Sequence, residues 1–480
     1  MPYRIPTNTV LPINIADATE TAAGVMSAED KRKLDAIAPG DGTRTITTIY
    51  VRPTGSDATG DGTLANPYRT VAYASQQLTR YADQLYQIID CTGIGTETLT
   101  STLHIPPVVS SSHVIADPSP VYGGFGVVAA VTIRAVPATV VTIVPGFTVN
   151  PSTTTGLAEI VVLGAGWTVN EHKGRKLYWG GAVLSTIYAN TADTLYVCTD
   201  ANFISNADPV YIVEETAELR LTGASSTAAT LQIMGTQASV ALLGLKVTRA
   251  TPASYSNQSL EVAQIEDFLA YGCTFEGVSF YGAIATNPLL SGCWLKAPST
   301  FEAFNLFGSG FSAVDTFWDA ITCDWNTQGS FPVYVLTSVY DGCNAVGHAT
   351  TSLPAINYQF IQTLIRNGTE EGVRYRCGLP CLLSSVRIEN CVGDGINAAS
   401  PGRLDLAGVT GSGNGGYGLQ ATRGANVDVD AGVTVTGTSG DLKVGGLAVR
   451  TWADFRTNPP LQRQADFFNA ATSDGSVVAE

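Results

Sequence analysis

The sequence predicts an all-β fold in which the chain coils in stacked parallel layers, as in a parallel β-solenoid. Charged residues make up only 14% of the 480 residues, and Gly is abundant; in ordinary globular proteins about a quarter of the residues are charged. From residue 90 to about 450, short β-branched runs are separated by Gly, Asn, Asp or Pro. These runs echo one another at a loose period of about 20 residues, which is typical of a solenoid.

Two sets of residues suggest this period. Apolar pairs at Val386/Ile388, Leu404/Leu406 and Val427/Val429 follow one another at steps of 18 and 23 residues. Four cysteines, at steps of 20, 30 and 20 residues, would form a ladder inside stacked coils: Cys273, Cys293, Cys323 and Cys343. The competing interpretation of these cysteines is a zinc site, but they include no C-x-x-C pair and have no nearby His.

The sequence divides into four segments with one interruption. The segments are an N-terminal attachment segment (1–45), a first strand with a capping helix (46–90), the parallel coils (91–450) and a C-terminal tail (451–480), and antiparallel hairpins are predicted at 166–215.

The first segment carries one compact helical signal, "MSAEDKRKLDAIAPG". Ser27 is a good N-cap, and Asp30 stands three residues later as an imperfect capping-box partner. Leu34 and Ile37 give one narrow apolar stripe before Pro39 ends the helix. Such a short helix is unstable alone, so we expect it to pack on another surface.

A strand pattern at "TITTIYV" leads into the loop "GSDATGDGTLANPYRT", residues 55–70. If Asp57 is taken as the first position of an EF-hand calcium loop, Asp61 and Gly62 match the fifth and sixth positions. The twelfth position, which should be a bidentate Glu, is Tyr68, so the loop does not match an EF-hand. A phosphate loop is excluded because no G-x-x-x-x-G-K-[ST] occurs. We therefore expect an architectural corner, in which Asp and Thr side chains satisfy backbone N–H groups.

A helix is predicted after this loop, from about Tyr68 to Ala82, and the strand "LYQIIDC" follows it. The helix places Val71, Ala74 and Leu78 on one face. This face would cover the open end of the solenoid, because an uncovered end exposes apolar side chains and unpaired strand edges.

The chain is acidic, with a formal net charge of −15. This charge argues against binding of nucleic acid or of an anionic membrane surface. The most apolar region is broken by Arg134, Pro137 and Pro145, so it does not form a membrane span. No signal-peptide pattern is visible, so we expect folding in a cytoplasm, where free buried thiols are the default. The only dense basic run outside the first helix, "HKGRK", is interpreted as a solvated turn.

Two short stretches resemble known families. The run "AGVMSAEDKRKLDAI" resembles a segment that recurs in bacteriophage tail-fibre and tail-appendage proteins, A-G-[LV]-M-S-x-x-D-K-x-K-L-D-x-I. The run "IYVRPTGSDATGDGTLANPYRTVAYA" is similar to the opening of pectate-lyase-like right-handed parallel β-helices. Together the two matches cover less than a fifth of the chain.

The resemblance implies a structural virion appendage: a tail fibre, tailspike or related receptor-binding protein that folds in the host cytoplasm. The coils would form a rigid rod of about 12 to 18 layers and about 60 to 85 Å. The implied partners are two further copies in a homotrimer, other tail or baseplate proteins through residues 1–45, and a host surface glycan. The aromatic cluster from Phe301 to Trp325 would pack between subunits or, alternatively, stack on sugar.

Two other functions stay open. One is a fibre of a phage-derived contractile injection system. The other is a polysaccharide hydrolase or lyase on the same scaffold, which would need paired carboxylates on neighbouring coils. The candidate carboxylates are Asp315, Asp319, Asp324, Glu370, Glu371 and Asp394. None of them stands in a paired catalytic motif, so the sequence assigns no catalytic, cofactor-binding or metal-binding residue. A solvated turn or an Asx-turn is the expected role of each side chain.

Overall fold

The computed structural model describes 22 stretches of the chain. They are residues 45–79, 85–105, 115–117, 126–143, 146–152, 155–179, 183–207, 209–222, 231–234, 239–249, 260–265, 268–278, 280–285, 289–296, 300–303, 311–325, 331–344, 356–376, 379–399, 402–422, 425–430 and 432–444. The chain divides into two compact units, Met1–Thr45 and Ile46–Glu480. The predicted attachment helix and C-terminal tail lie outside the described residues, and everything below concerns the second unit.

The second unit is a right-handed parallel β-helix, which confirms the predicted fold class. Each coil contributes strands to three sheets, here called A, B and C. In the described part of the chain, sheet A has the order β1 (Thr45–Tyr50), β2 (Leu85–Asp90), β7 (Val131–Arg134), β17 (Val240–Leu243), β20 (Phe268–Tyr271), β23 (Leu289–Ser291), β26 (Phe311–Val314), β29 (Phe331–Leu336), β31 (Ile356–Ile361), β34 (Cys381–Ser384), β37 (Arg403–Ala407) and β40 (Asn426–Val429).

Sheet B follows sheet A in each coil after a short corner. Its order is β3 (Gly95–Leu99), β15 (Ala217–Leu221), β18 (Lys246–Arg249), β21 (Thr274–Glu276), β24 (Trp294–Lys296), β27 (Phe317–Asp319), β30 (Val339–Asp341), β32 (Leu364–Arg366), β35 (Arg387–Glu389), β38 (Thr410–Asn414) and β41 (Thr434–Gly437).

Sheet C is described in three groups. They are β4 (Leu103–Ile105), β16 (Leu231–Met234), β19 (Leu260–Ile265) and β22 (Phe280–Ala285); β25 (Thr300–Ala303) and β28 (Thr322–Trp325); and β33 (Val373–Tyr375), β36 (Ile396–Ala398), β39 (Tyr417–Ala421) and β42 (Gly440–Val444). A separate hairpin joins β5 (Ile115–Asp117) to β6 (Gly126–Val128).

A second, antiparallel sheet interrupts the coils between β7 and β15. We call residues 138–214 the antiparallel lobe. It contains β8 (Ala138–Ile143), β9 (Thr148–Pro151), β10 (Leu157–Val161), β11 (Lys176–Trp179), β12 (Val183–Asn190), β13 (Thr194–Asp200), the 3₁₀ turn η1 (Ala201–Phe203) and β14 (Val210–Glu214). The lobe begins three strands earlier than the hairpins predicted at 166–215, because β8, β9 and β10 also belong to the antiparallel sheet.

The register gives the length of each coil. In sheet A, Leu269 pairs with Leu289 and Leu404 pairs with Val427, which are steps of 20 and 23 residues. Twelve strands spaced by about 4.8 Å give a stack of roughly 50 Å. This is shorter than the expected rod because the lobe removes its residues from the coils.

Of the two predicted steps between apolar pairs, only one corresponds to a coil. The step of 23 residues is one coil, since Leu404 pairs with Val427 and Leu406 with Val429. The step of 18 is not a coil, because Ile388 lies in sheet B whereas Leu404 pairs with Cys381 in sheet A.

The cysteine ladder is likewise only partly correct. Cys273 and Cys293 occupy the same corner in consecutive coils, and the backbone N–H of Trp294 donates to the carbonyl of Cys273 at 2.9 Å. Cys343 lies after sheet B, at the next corner, and Cys323 lies on β28 of sheet C. The expected burial of the thiols is nevertheless right: the buried cysteines are Cys91, Cys273, Cys293, Cys343, Cys381 and Cys391 in the coils and Cys198 in the lobe.

The corner between sheets A and B, here called the A–B corner, repeats one conformation. A residue in the left-handed region comes first, and a buried residue follows it. The left-handed residues are Gly244, Gly272, Gly292, Asp315, Thr337, Gln362, Ser385 and Gly408. The buried residues after them are Leu245, Cys273, Cys293, Thr316, Ser338, Thr363, Val386 and Val409.

Backbone hydrogen bonds at this corner join each coil to its neighbours. The N–H of Gly272 donates to Ser291 O at 2.8 Å in the next coil, and that of Phe317 donates to Cys293 O at 2.8 Å in the preceding coil. The inward hydroxyl and thiol groups also find carbonyl acceptors; Thr316 Oγ1 donates to Val314 O at 3.0 Å. The polar atoms of the corner are therefore satisfied although the corner is buried.

The capping helix is confirmed in place but is shorter than predicted. Helix α1 spans Val71–Gln76, with Thr70 as its N-cap. Val71, Ala74 and Leu78 are buried in the same apolar cluster as the first coil. The helix ends early because Gln87 of β2 takes both backbone groups of Thr79, at 2.6 and 2.9 Å.

Aromatic rings fill the middle of the core. Trp318 is fully buried and stacks on Tyr340 of the next coil, with ring centroids 5.1 Å apart and planes at 12°. Tyr340 in turn meets the edge of Phe360 at 6.2 Å. The stack joins three consecutive coils across sheets A and B.

Replacing Trp318 by Ala should lower the free energy of unfolding by about 3–5 kcal/mol, because a large cavity replaces the stacked indole. The matched control is Tyr334→Ala one coil later, where the ring is 42% exposed; there we expect a loss below about 1 kcal/mol. Urea unfolding followed by circular dichroism measures both, and equal losses would contradict the assigned core.

Candidate functional site

In the loop after β1, the acidic side chains accept hydrogen bonds from nearby backbone N–H groups. Asp57 accepts hydrogen bonds from the N–H groups of Arg69 and Thr70 at 2.8 and 3.1 Å and from the Thr70 hydroxyl at 2.8 Å. Asp61 accepts from Thr63 N–H at 2.9 Å. A Cβ on Gly55 would lie 2.1 Å from Tyr68 O, so only glycine fits there. These contacts support the architectural interpretation of the loop.

The antiparallel lobe is a small domain with its own apolar core. β12 pairs with β11 through its first half and with β13 through its second half, so the sheet bends around this core. The core contains Leu177, Trp179, Ile187, Val197 and Ile212, among others.

The lobe leaves and rejoins the same coil through a narrow neck. The Thr216 hydroxyl donates to Val136 O at 2.7 Å, and Val136 N–H donates to the Thr92 hydroxyl at 2.9 Å. The lobe is thus an insertion at one A–B corner, and it contacts the A–B corners and sheet B strands of later coils.

We call this contact the seam. It consists of Lys173, Lys176, Thr186, Tyr188, Cys198, Thr199 and Asp200 of the lobe, and of Cys273, Gly292, Asp315, Phe317, Asp319, Thr337, Gln362 and Arg366 of the coils.

Lys176 is the deepest charged side chain of the seam. It is 1% exposed, and its Nζ donates to Thr186 Oγ1 at 3.1 Å and to Cys273 O at 3.2 Å. Burial lowers the pKa of Lys176 because water is excluded from its charged form. The Thr186 hydroxyl donates to Gly292 O at 2.9 Å, so lobe and coils share one polar network.

The "HKGRK" run was predicted to be a solvated turn, and this is wrong. His172 and Lys176 are buried, Lys173 Nζ pairs with Asp319 at 3.0 Å, and Arg175 pairs with Glu214 at 2.7 Å. The backbone of Gly174 lies so close to the Trp294 ring that a Cβ would approach it to 2.1 Å. The run therefore docks the lobe on sheet B.

Apolar and aromatic contacts complete the seam. Leu157, Tyr188 and Cys198 of the lobe pack with Phe317 and Val339 of sheet B. The guanidinium of Arg366 lies over the Tyr188 ring, 5.3 Å from its centroid. Phe317 and Trp318 are buried within one chain, so these two members of the 301–325 aromatic cluster are used in folding rather than between subunits.

Asp315 is the candidate carboxylate at the centre of the seam. It occupies the left-handed corner position with φ 54° and is 8% exposed. Its carboxyl accepts hydrogen bonds from the hydroxyls of Thr337 and Thr199. Burial, with a smaller effect of the nearby Asp200, raises the pKa of Asp315 to about 7.

Two other candidate carboxylates lie together on consecutive coils. Asn397 Nδ2 is 3.3 Å from Glu371 Oε1 and 3.3 Å from Asp394 Oδ2. Arg374 forms ion pairs with Glu371 and with the more exposed Glu370. Asp394 is 8% exposed and accepts Tyr417 N–H at 2.7 Å.

Glu371 and Asp394 thus come from neighbouring coils, as a hydrolase would need, but each carboxylate already has a structural partner. Of the other candidates, Asp315 and Asp319 are in the seam, and the Asp324 side chain lies outside the described residues. In the part of the chain that the structure describes, no three His, Cys, Asp or Glu side chains are grouped so as to hold a metal ion. Nor does any described helix have the length and apolarity that crossing a membrane requires.

The ion pair at Lys173 offers a test of the seam. Asp341, opposite Asp319 on the neighbouring strand, is already paired with Arg366. Lys173→Met therefore leaves Asp319 without its ion-pair partner. Both partners are partly exposed, and we expect a loss of about 0.5–1 kcal/mol in the free energy of unfolding. The loss should shrink at about 1 M salt.

The double variant Lys173→Met/Asp319→Asn serves as the control and should recover most of that loss. A loss that is independent of salt and of Asp319 would contradict an electrostatic role for Lys173.

Comparisons with known proteins give no family. No protein-family model matches the chain, and no curated protein matches it. Among solved structures, the chain is similar to a GH136 lacto-N-biosidase from Eubacterium ramulus, with 10% sequence identity, a TM-score of 0.34, and coverage of 87% of this chain and 69% of that one. At this level of similarity we draw no conclusion about activity.

Proposed function

We propose that this protein is a structural appendage of a bacteriophage particle, a tail fibre or tailspike-type receptor-binding protein. Residues 1–45 attach it to tail or baseplate proteins, and the parallel coils form the stiff part that carries it toward a host surface glycan. Three copies associate in the working assembly, which forms in the host cytoplasm and ends in the virion.

The observation that carries this proposal is the continuous apolar core. One cluster extends from Val71 of the capping helix through Cys273 and Trp318 to Leu442 of the last described strand. A stack held by one core and by hydrogen bonds between coils resists bending, because a bend would open both at once. The sequence segment of residues 23–37 adds the resemblance to phage tail proteins.

A polysaccharide hydrolase is the second candidate, because Glu371 and Asp394 meet at Asn397 from neighbouring coils. Glycoside hydrolysis needs one carboxyl as an acid and a second as a base or nucleophile. Each carboxylate is already held by a partner in the fold, Glu371 by Arg374 and Asp394 by the Tyr417 N–H. This favours the appendage function. A fibre of a contractile injection system would use the same rod on another particle.

The attachment proposal predicts that removal of residues 1–45 abolishes incorporation into particles and leaves the coils folded. Light scattering of the full chain and of the shortened chain should give a trimer in both cases. A monomer, or a shortened chain that still joins particles, would refute this assignment of roles.

A turnover assay separates the appendage from the hydrolase. We expect the full-length protein to bind capsular or O-antigen polysaccharide without shortening it. If a glycan is cleaved, Glu371→Gln and Asp394→Asn are the isosteric variants to compare, with Asp405→Asn on sheet A as the control. Cleavage that both site variants abolish and the control retains would establish the hydrolase instead.

A further inference from the structure

Asp315 stands where the lobe meets two consecutive coils. Its backbone N–H donates to Leu336 O at 3.1 Å in the next coil, which fixes the corner. Its carboxyl receives one hydroxyl from that coil, Thr337, and one from β13 of the lobe, Thr199 at 3.5 Å. The carboxyl therefore connects the lobe to the coils within a buried interface.

The charged groups around Asp315 do not neutralise it. Asp200 of β13 carries a like charge that acts on Asp315, and it is itself held by Asn202 N–H and Gln362 Nε2, each at 2.8 Å. Arg366 is committed to Asp341 at 2.8 Å.

The lobe contributes two further titratable groups to the seam, Cys198 and Lys176. Burial raises the pKa of the Cys198 thiol well above its usual value. Lys176 donates to Thr186 and Cys273. Among the described residues, neither a Lys nor an Arg lies within ion-pair distance of Asp315.

We infer that the seam is a pH-sensitive latch, in which protonated Asp315 holds β13 against the A–B corner and ionised Asp315 loosens it. A protonated carboxyl satisfies its buried site through the two hydroxyls. An ionised carboxyl places a charge in a dry interface beside a second carboxylate, which is unfavourable unless the interface admits water.

The direction of the effect follows from linkage. An Asp in the opened, hydrated seam titrates near its ordinary value of about 4, whereas in the closed seam its pKa is about 7. The stabilisation is complete below about pH 4, falls about tenfold per pH unit between these values, and is level above about pH 8. Acidic conditions lock the lobe, and neutral to alkaline conditions release it.

Thiol labelling of the full-length protein tests this inference, because Cys198 of β13 is a free thiol packed in the seam against Phe317 and Val339. After correction for the pH dependence of the thiol reaction itself, the protection of Cys198 from labelling, followed by peptide mass spectrometry, should fall about 30-fold between pH 5.5 and pH 8.5. The buried Cys391, which is not part of the seam, should keep its protection. Unchanged protection of Cys198 would overturn the inference.

Asp315→Asn is the matched variant, because Asn keeps the shape, tolerates the left-handed backbone and does not ionise. In this variant the protection of Cys198 should not depend on pH, and Asp405→Asn on sheet A should behave as the unmodified protein. Asp200→Asn is a second, independent variant. It removes the neighbouring negative charge, so the fall should be smaller than in the unmodified protein. A fall of unchanged size in both Asp315→Asn and Asp200→Asn would mean that another group controls the seam.

Discussion

The structure depends on one repeated arrangement at the A–B corner, a left-handed residue followed by an inward side chain. The left-handed residue turns the chain by enough to begin sheet B and donates its N–H to the next coil, as Gly272 does to Ser291 O. The residue after it, such as Cys293 or Val409, then enters the core. Coil after coil, this corner sets the register of sheets A and B together.

The lobe uses the same corner as its docking surface. At two corners the left-handed residue carries a side chain that binds the lobe. Asp315 binds Thr199 and Gln362 binds Asp200, whereas at Gly292 the backbone carbonyl accepts from Thr186. One backbone conformation thus closes the coil and positions the seam on which the latch depends.

The fold class could be predicted from the sequence, because β-branched runs separated by glycine indicate short strands that recur about once per coil. The A–B corner could not be predicted from the sequence, because its left-handed position is Gly at 272 and 292 but Asp, Thr, Gln or Ser in later coils. Spacing alone also cannot tell which corner a cysteine occupies, so Cys343 was placed in the wrong ladder. The seam was missed because Lys173 and Asp319 are far apart in sequence, and a basic run is indistinguishable from a solvated turn until its partners are known.

The most direct test of the corner is substitution at Gly408, which has φ 59° and lies away from the lobe. A Cβ there would meet only Ser385 N, at 4.0 Å, so the space is open and backbone strain alone decides the effect. Measured by urea unfolding, Gly408→Val should lower the free energy of unfolding by about 1–2 kcal/mol more than Gly408→Asn does, because Asn tolerates the left-handed region and a β-branched residue does not. Equal losses for the two variants would contradict the claim that this corner conformation holds the coils in register.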